Sequence, residues 1–274
     1  MLVKSKFKFV VGDIQGCYGE FKNLLKIIDP KKDNKIFCVG DLVNRGPESE
    51  KVLEYVMKHN IKSVLGNHDL HMMAMILGVH KIKDKNHTLH KVLTKNKRVE
   101  AVDYFIKFPF AKELKANDKK SLVVHAGVLP TWSLQDIYAA NEELCEPLKK
   151  DPEKFLSDMY SDRRIAISKS TNKRNRQRYL VNVFTRMRFL SRKNKLDLKT
   201  KTKKTHKDKY QPWFNYQHKC LKDIDNIVFG HWAAINGVTN HSNIKGIDLG
   251  CVWGGSLAAI NLFDNSIITV NSES

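Results

Sequence analysis

Apolar positions along this chain recur in short runs, most of them ending in a glycine followed by a polar residue. Residues 7–11, 36–39, 63–65, 122–124 and 227–229 are rich in β-branched and aromatic side chains and too short for helices, which predicts strands. Between the first three lie amphipathic stretches with helical spacing, carrying Tyr18, Phe21, Leu24, Leu25 and Ile28, then Val52, Tyr55 and Val56. A further helical run follows at 70–77. This βαβαβα order implies parallel strands joined by right-handed crossovers. From about residue 82 to 109 and again from 134 to 167 the pattern turns helical, with Trp132, Ile137, Leu144, Leu148, Phe155 and Met159 as expected core contacts. These stretches read as a helical cap over roughly 80–115 and 134–180. The segment 191–209 reads as a hairpin or mobile loop. Strands return at 227–229, 246–249, 256–262 and 267–270 and are expected to add a second sheet. The fold class is therefore α/β: a β-sandwich flanked by helices (α/β/β/α) with a helical cap, forming a single catalytic domain over 1–274.

The polar residues that close these runs carry chemistry. Gly-Asp-Ile-Gln-Gly (12–16), Gly-Asp-Leu-Val-Asn-Arg-Gly-Pro (40–47), Gly-Asn-His-Asp (66–69), His-Ala-Gly (125–127) and Gly-His-Trp (230–232) each set an oxygen or nitrogen donor in a glycine turn. At strand ends, where an open α/β sheet gathers its ligands, Asp13, Asp41, Asn67, His125 and His231 form a donor set for two metals. Two metals about 3.5 to 4 Å apart supply what phosphoester or phosphoanhydride hydrolysis needs: a water nucleophile at neutral pH and charge around the phosphoryl oxygens. Oxygen and imidazole donors suit Mn²⁺, Co²⁺, Fe²⁺ or Mg²⁺ rather than a thiolate-bound metal. Asp41 is the natural bridge, with Asp13 on one metal and Asn67, His125 and His231 on the other. His68 and Asp69 suit acid catalysis, the carboxylate holding the imidazole that protonates a leaving oxygen. Arg45 sits in a Gly-Pro-ended turn from which it can clamp phosphoryl oxygens. Arg186 and Arg188 alternate on an expected strand, pointing to one face, and at least one is expected to join it. Trp213, Phe214 and Tyr216 are candidates for stacking on a base, or for packing under the cap.

Composition narrows the setting. The formal charge is +19, from 48 Lys and Arg against 29 Asp and Glu, and favours anionic partners such as nucleotides or RNA. Much of the excess lies between Arg163 and Lys209, where a phosphate-binding face and an ordinary solvated surface are equally good readings. Before Gly12 the apolar stretch is too short for a signal-peptide core, and no run of about 18 apolar residues exists for a membrane span. The five cysteines are scattered, without CxxC or zinc spacing. A reducing, cytoplasmic setting is expected.

With these residues in place, the chain resembles the phosphoprotein-phosphatase branch of the calcineurin-like metallophosphoesterases. Within that branch it is similar to the hydrolases of diadenosine tetraphosphate (Ap4A). The similarity spans nearly the whole chain and rests on residues 40–49, 125–132, Phe-Thr-Arg-Met-Arg-Phe (184–189), Pro-Trp-Phe (212–214), 229–233 and Leu-Gly-Cys-Val-Trp-Gly-Gly-Ser-Leu (249–257). The resemblance implies two divalent metal ions, Mn²⁺ or Co²⁺ with Mg²⁺ also admitted. It also implies cleavage of Ap4A at its midpoint to two ADP, activity on related dinucleoside polyphosphates, and removal of nucleoside-tetraphosphate caps from RNA. Two positions depart from the branch. Gln15 stands where a histidine ligand of the first metal is usual, and Asn44 stands where an aspartate commonly pairs with the acid histidine, leaving His68 to Asp69 or another group. The competing readings are a protein Ser/Thr phosphatase with the same metals and a nucleic-acid-binding protein with a decayed site.

Overall fold

The computed structural model describes residues 7–31, 35–79, 88–94, 98–159, 166, 171–205 and 208–273. The N-terminal half runs β1 (Phe9–Val11), α1 (Tyr18–Ile28), β2 (Ile36–Cys38), α2 (Ser49–Lys58), β3 (Lys62–Ser63), α3 (Asn67–Ile76), α4 (His90–Thr94) and α5 (Arg98–Phe105). It continues with β4 (Ala111–Ala116), β5 (Lys119–Val124), α6 (Leu134–Lys150), α7 (Pro152–Met159) and α8 (Lys173–Arg186). The remainder is β6 (Phe189–Ser191), β7 (Leu196–Asp197), β8 (Tyr210–Pro212), β9 (Asn226–Phe229), β10 (Ile244–Gly246), β11 (Asp248–Leu249), β12 (Ser256–Asn261) and β13 (Ile267–Asn271). Among the described residues no helix is long and apolar enough to cross a membrane.

Two sheets form the sandwich. The first has the order β11-β12-β1-β2-β3 with β13 on β12, and the second the order β10-β9-β5-β4. As expected from the crossovers, β1 and β2, and β2 and β3, are parallel. The central strands are apolar on both faces because each face meets a different layer. Val10, Phe37, Val123, Val228, Ala258 and Ile260 fill the space between the sheets. Their neighbours Phe9, Val11, Cys38, Leu122, Val124 and Phe229 pack outward with the helices. From α1, Phe21, Leu24, Leu25 and Ile28 are buried, each contributing about 1.5–3 kcal/mol relative to exposure.

The structure corrects three expectations about the elements. The C-terminal strands do not build the second sheet by themselves: β12 pairs antiparallel with β1, and β11 and β13 flank it. Among the described residues, β9 and β10 are the strands that join β4 and β5. The expected strand at 246–249 is two strands in different sheets, divided at Ile247, whose N–H donates to the Phe229 carbonyl at 2.9 Å. The expected cap is also not helical to residue 115, since β4 alternates buried and exposed side chains and pairs with β5. Parts of the expected cap, at 80–87, 95–97, 160–165 and 167–170, lie outside the described residues. The segment 191–209 does open with a hairpin, β6 pairing with β7, turned at left-handed Asn194.

One buried group gives the fold a pH dependence. His218 is buried, its Nε2 donates to the Trp213 carbonyl at 3.1 Å, and Nδ1 has no partner among the described residues. Burial pushes its pKa down to about 4. Between that value and the ordinary 6.5 the unfolded chain binds the proton more readily, so stability is full above about pH 7 and falls as the pH drops to 4. The loss is on the order of 3 kcal/mol. Urea midpoints should fall across this window, and His218→Gln should flatten the slope; an unchanged slope would show that other groups carry it.

Candidate metal centre and catalytic cavity

Each motif places its donor just beyond a strand. Asp13 follows β1, Asp41 follows β2, Asn67 opens α3 after β3, His125 follows β5 and His231 follows β9. Their turns are tight. A Cβ on Gly66 would come within 2.1 Å of Asp41 Oδ1, and one on Gly230 within 1.9 Å of Asp13 Oδ1, so only glycine lets these backbones approach the carboxylates. The turns also hold strained residues. Among the described non-glycine residues with positive φ, all but Gln15 (45°), Asp41 (51°), Arg45 (71°) and His231 (66°) are asparagines. These four line one cavity, which is where backbone strain held by surrounding structure is found at functional sites.

The cavity holds about 840 Å³ and its walls include Gln15, Asp41, Arg45, Asn67, His68, Arg186, Arg188 and His231. Asp13 and His125 are buried beneath it. One ligating atom each from Asp41, His125 and His231 lies within 4.8 Å of the other two. His125 Nδ1 is 2.9 Å from the Val39 carbonyl and donates to it, which leaves Nε2 as the lone-pair nitrogen. That nitrogen faces Asp41 Oδ2 at 3.4 Å and Asn67 Oδ1 at 3.3 Å. His231 anchors the other side through its backbone N–H, 3.1 Å from Asp13 Oδ2.

This donor set fits divalent cations. Two acceptors, the His125 imidazole nitrogen and the Asp41 carboxylate, face each other at 3.4 Å, a contact that a proton or a cation reconciles. Turned over, the Asn67 amide would instead donate to His231 Nδ1 at 2.9 Å and to the Thr185 carbonyl at 3.0 Å, so its orientation reports on what it faces. Charge points the same way: Asp13, Asp41, Asp69 and Asp248 are all buried. Burial, with Asp248 and Asp41 nearby, pushes Asp13 well above the usual carboxylate range, a cost that cations relieve. Burial also acts to raise Asp41, but His125 and His68, when protonated, outweigh it and hold the group at about 2, and a cation beside the carboxylate favours the ionised form in the same way.

His68 and Asp69 are not paired, contrary to the expectation from sequence. The Asp69 carboxylate accepts the backbone N–H groups of Asp41 (2.8 Å), Leu42 (2.9 Å) and Gly66 (2.9 Å). It therefore ties the second and third motifs together rather than steering an imidazole. Burial and the Asp41 charge raise it to about 7. Asn44 takes the expected role: its Nδ2 lies 2.9 Å from His68 Nδ1, while its Oδ1 accepts the N–H of Arg45 at 2.8 Å. The amide is thereby oriented as a donor to Nδ1, which keeps the His68 proton on Nε2, 3.9 Å from Asp41 Oδ2.

Arg186 and Arg188 reach the cavity from a different element than expected. They do not alternate on a strand, because Arg186 ends α8 and the chain extends at Met187 before β6. The run Tyr179 to Thr185 is buried all round, so its apolar pattern lacks the one-sided stripe that marks a surface helix. Arg186 Nη1 bonds Asn182 Oδ1 at 3.1 Å and Arg188 Nη2 bonds the His231 carbonyl at 3.1 Å. Trp213 and Phe214 are buried and pack on Phe229, with Phe214 also on Trp232. The Tyr216 hydroxyl donates to the Leu190 carbonyl at 2.8 Å. None of the three lines the cavity. Sequence reasoning missed Asp248, Lys201 and the place of Trp253, all on the cavity wall. The segment 249–257 already carried the resemblance and was the signal for Trp253.

Gln15 sits beside Asp41, with Nε2 3.4 Å from Asp41 Oδ2. A neutral amide is a weaker donor than imidazole. Gln15→His is expected to lower the metal concentration for half-maximal activity, read in a Mn²⁺ titration; an unchanged curve would remove position 15 from the ligand set.

A family model for calcineurin-like phosphoesterases matches residues 9–242. A protein of Marinomonas sp. named symmetrical bis(5'-nucleosyl)-tetraphosphatase is 39% identical over 263 residues, covering 93% of this chain and 94% of its own. One of the same name from Legionella pneumophila is 36% identical and covers 96% of both chains. A crystal structure provisionally assigned to a diadenosine tetraphosphatase superposes with a TM-score of 0.64 over 98% of this chain and 95% of that one, at 23% identity, and bears on the fold. The chain belongs to the calcineurin-like phosphoesterases, in the group of symmetrical bis(5'-nucleosyl)-tetraphosphatases.

Proposed function

We propose that this chain hydrolyses Ap4A and related dinucleoside polyphosphates at the midpoint, giving two nucleoside diphosphates. The observation that carries the reading is the convergence of Asp41, His125 and His231 beneath a cavity walled by His68, Arg45, Arg186 and Arg188. The relatives named for the symmetric reaction align over nearly their full length. Calcineurin-like phosphoesterases use a dinuclear divalent metal site, and Asp13, Gln15 and Asp41 would hold one ion, Asp41, Asn67, His125 and His231 the other. Bound there, Mn²⁺ or Co²⁺, with Mg²⁺ as a further choice, supply a water nucleophile at neutral pH and draw charge from the phosphoryl oxygens.

The chain's own groups do the rest. Arg45, Arg186 and Arg188 bind the tetraphosphate and offset the charge that grows on it as the central anhydride breaks. His68, its proton held on Nε2 by Asn44, donates to the oxygen of the departing nucleoside diphosphate. Asp69 fixes the turn that presents Asp41. The chain works as one catalytic domain with its helical segments as a cap, and its free, buried cysteines support a reducing compartment such as the cytoplasm. A nucleoside-tetraphosphate cap on RNA offers the same anhydride, and the +19 charge favours that larger anion as a further substrate.

The test is a comparison of kcat/KM for Ap4A and for a phosphopeptide with Mn²⁺. Ap4A should be the better substrate, with ADP its only nucleotide product. Preference for the phosphopeptide would assign a protein phosphatase, and RNA binding without hydrolysis in any metal would assign a binding protein.

A further inference from the structure

Trp253 is the outlier among the tryptophans. Its side chain is 68% exposed, whereas Trp213 and Trp232 are buried. An indole left in water forgoes one of the largest apolar gains a residue offers, so the fold itself does not account for its position. Nor is it held loosely. It ends a short 3-10 turn, Cys251–Trp253, that runs between two left-handed glycines, Gly250 and Gly254. The N–H groups of Trp253, Gly254 and Gly255 return to the carbonyls of Gly250, Cys251 and Gly250 at 2.8, 3.1 and 3.0 Å. The turn packs against its neighbour at 233–235: a Cβ on Gly250 would lie 3.3 Å from Ala233 Cβ. A rigid backbone thus presents a broad, flat, uncovered ring.

The ring is on the wall of the catalytic cavity, together with Ala233, Ala234 and Asn236. Small side chains there leave open space beside the indole. The same cavity carries Arg186, Arg188 and Lys201. Lys201 is set by a turn in which buried Asp197 accepts the N–H of Lys199 at 3.1 Å and the hydroxyl of Thr200 at 2.6 Å. An aromatic face at one side of a cavity whose walls bear cations matches a ligand with a planar base joined to a polyphosphate.

We propose that Trp253 and the turn 250–255 form a nucleobase subsite, in which the indole stacks on one base of the dinucleoside tetraphosphate while Arg186, Arg188 and Lys201 take the phosphates. This rests on the hydrolase reading above. Stacking accepts any base, so the site should serve adenine and guanine alike.

The test uses the full chain with Trp253→Ala and Trp253→Phe. For Ap4A and its guanine counterpart, Trp253→Ala is expected to raise KM by roughly tenfold to a hundredfold with little change in kcat. Trp253→Phe should recover most of that loss. The KM for inorganic tetraphosphate, which has no base, should not change. Independently of turnover, ADP in EDTA should quench the tryptophan fluorescence of the wild type, and this quench should vanish in Trp253→Phe. Unchanged KM for Ap4A in Trp253→Ala, or an equal rise with inorganic tetraphosphate, would overturn the subsite. A wild type that does not cleave Ap4A would instead overturn the hydrolase reading, and the ADP quench would then decide the subsite alone.

Discussion

Asp41→Asn is expected to lower kcat for Ap4A by roughly a thousandfold while the chain still folds. The substitution keeps the shape of the side chain and the oxygen that accepts the His68 N–H at 2.8 Å, so the turn into α3 survives. It removes the one charge shared by every part of the site: Asp41 faces His125 at 3.4 Å and His68 at 3.9 Å, and it interacts with buried Asp13. A neutral amide there has one donor oxygen in place of two and cannot bridge two cations. The loss should therefore appear both in kcat and in bound metal, counted by elemental analysis after gel filtration in Mn²⁺. A variant with two ions per chain and activity within tenfold of the wild type would show that Asp41 is not the bridge.

Asp69→Ala should destabilise the chain by about 3–6 kcal/mol, the largest stability effect expected of any residue around the site. Three backbone N–H groups, those of Asp41, Leu42 and Gly66, lose their common acceptor in a place no solvent reaches. Each buried donor left unsatisfied costs about 1–3 kcal/mol. Asp69→Asn keeps one acceptor oxygen but turns an N–H₂ toward the remaining donors, so its cost should be smaller, about 2 kcal/mol or more. Urea unfolding of both variants measures this. Wild-type stability in both would return Asp69 to the catalytic role that its place beside His68 first suggested.

Where the sequence was legible, local physics had fixed the answer. A strand ending in Gly-Asp or Gly-Asn can place its donor only at the sheet end, so Asp13, Asp41, Asn67, His125 and His231 could be named before any contact was known. Partners across the fold were not legible in this way. Asp69 follows His68 in the chain, yet helix geometry turns its carboxylate back onto Gly66 and the Asp41 loop, and Asn44, 24 positions from His68, becomes its partner. Arg186 and Arg188 show the limit of periodicity: on a helix stretch buried on every side, apolar residues are not confined to one face and imitate a strand. The aromatics show the limit of composition. Trp213 and Phe214 belong to the core and Trp253 to the cavity, a difference of exposure that nothing in residue type announces.

Hydrolysis of Ap4A in ¹⁸O-labelled water with Mn²⁺, followed by mass spectrometry of the nucleotides, tests the midpoint cut at this site most directly. Attack of water on one central phosphorus gives two ADP from every Ap4A, one of them carrying a single ¹⁸O and the other none. ATP with AMP, or no turnover with Mn²⁺, Co²⁺ or Mg²⁺, would show that the cavity does not perform this reaction.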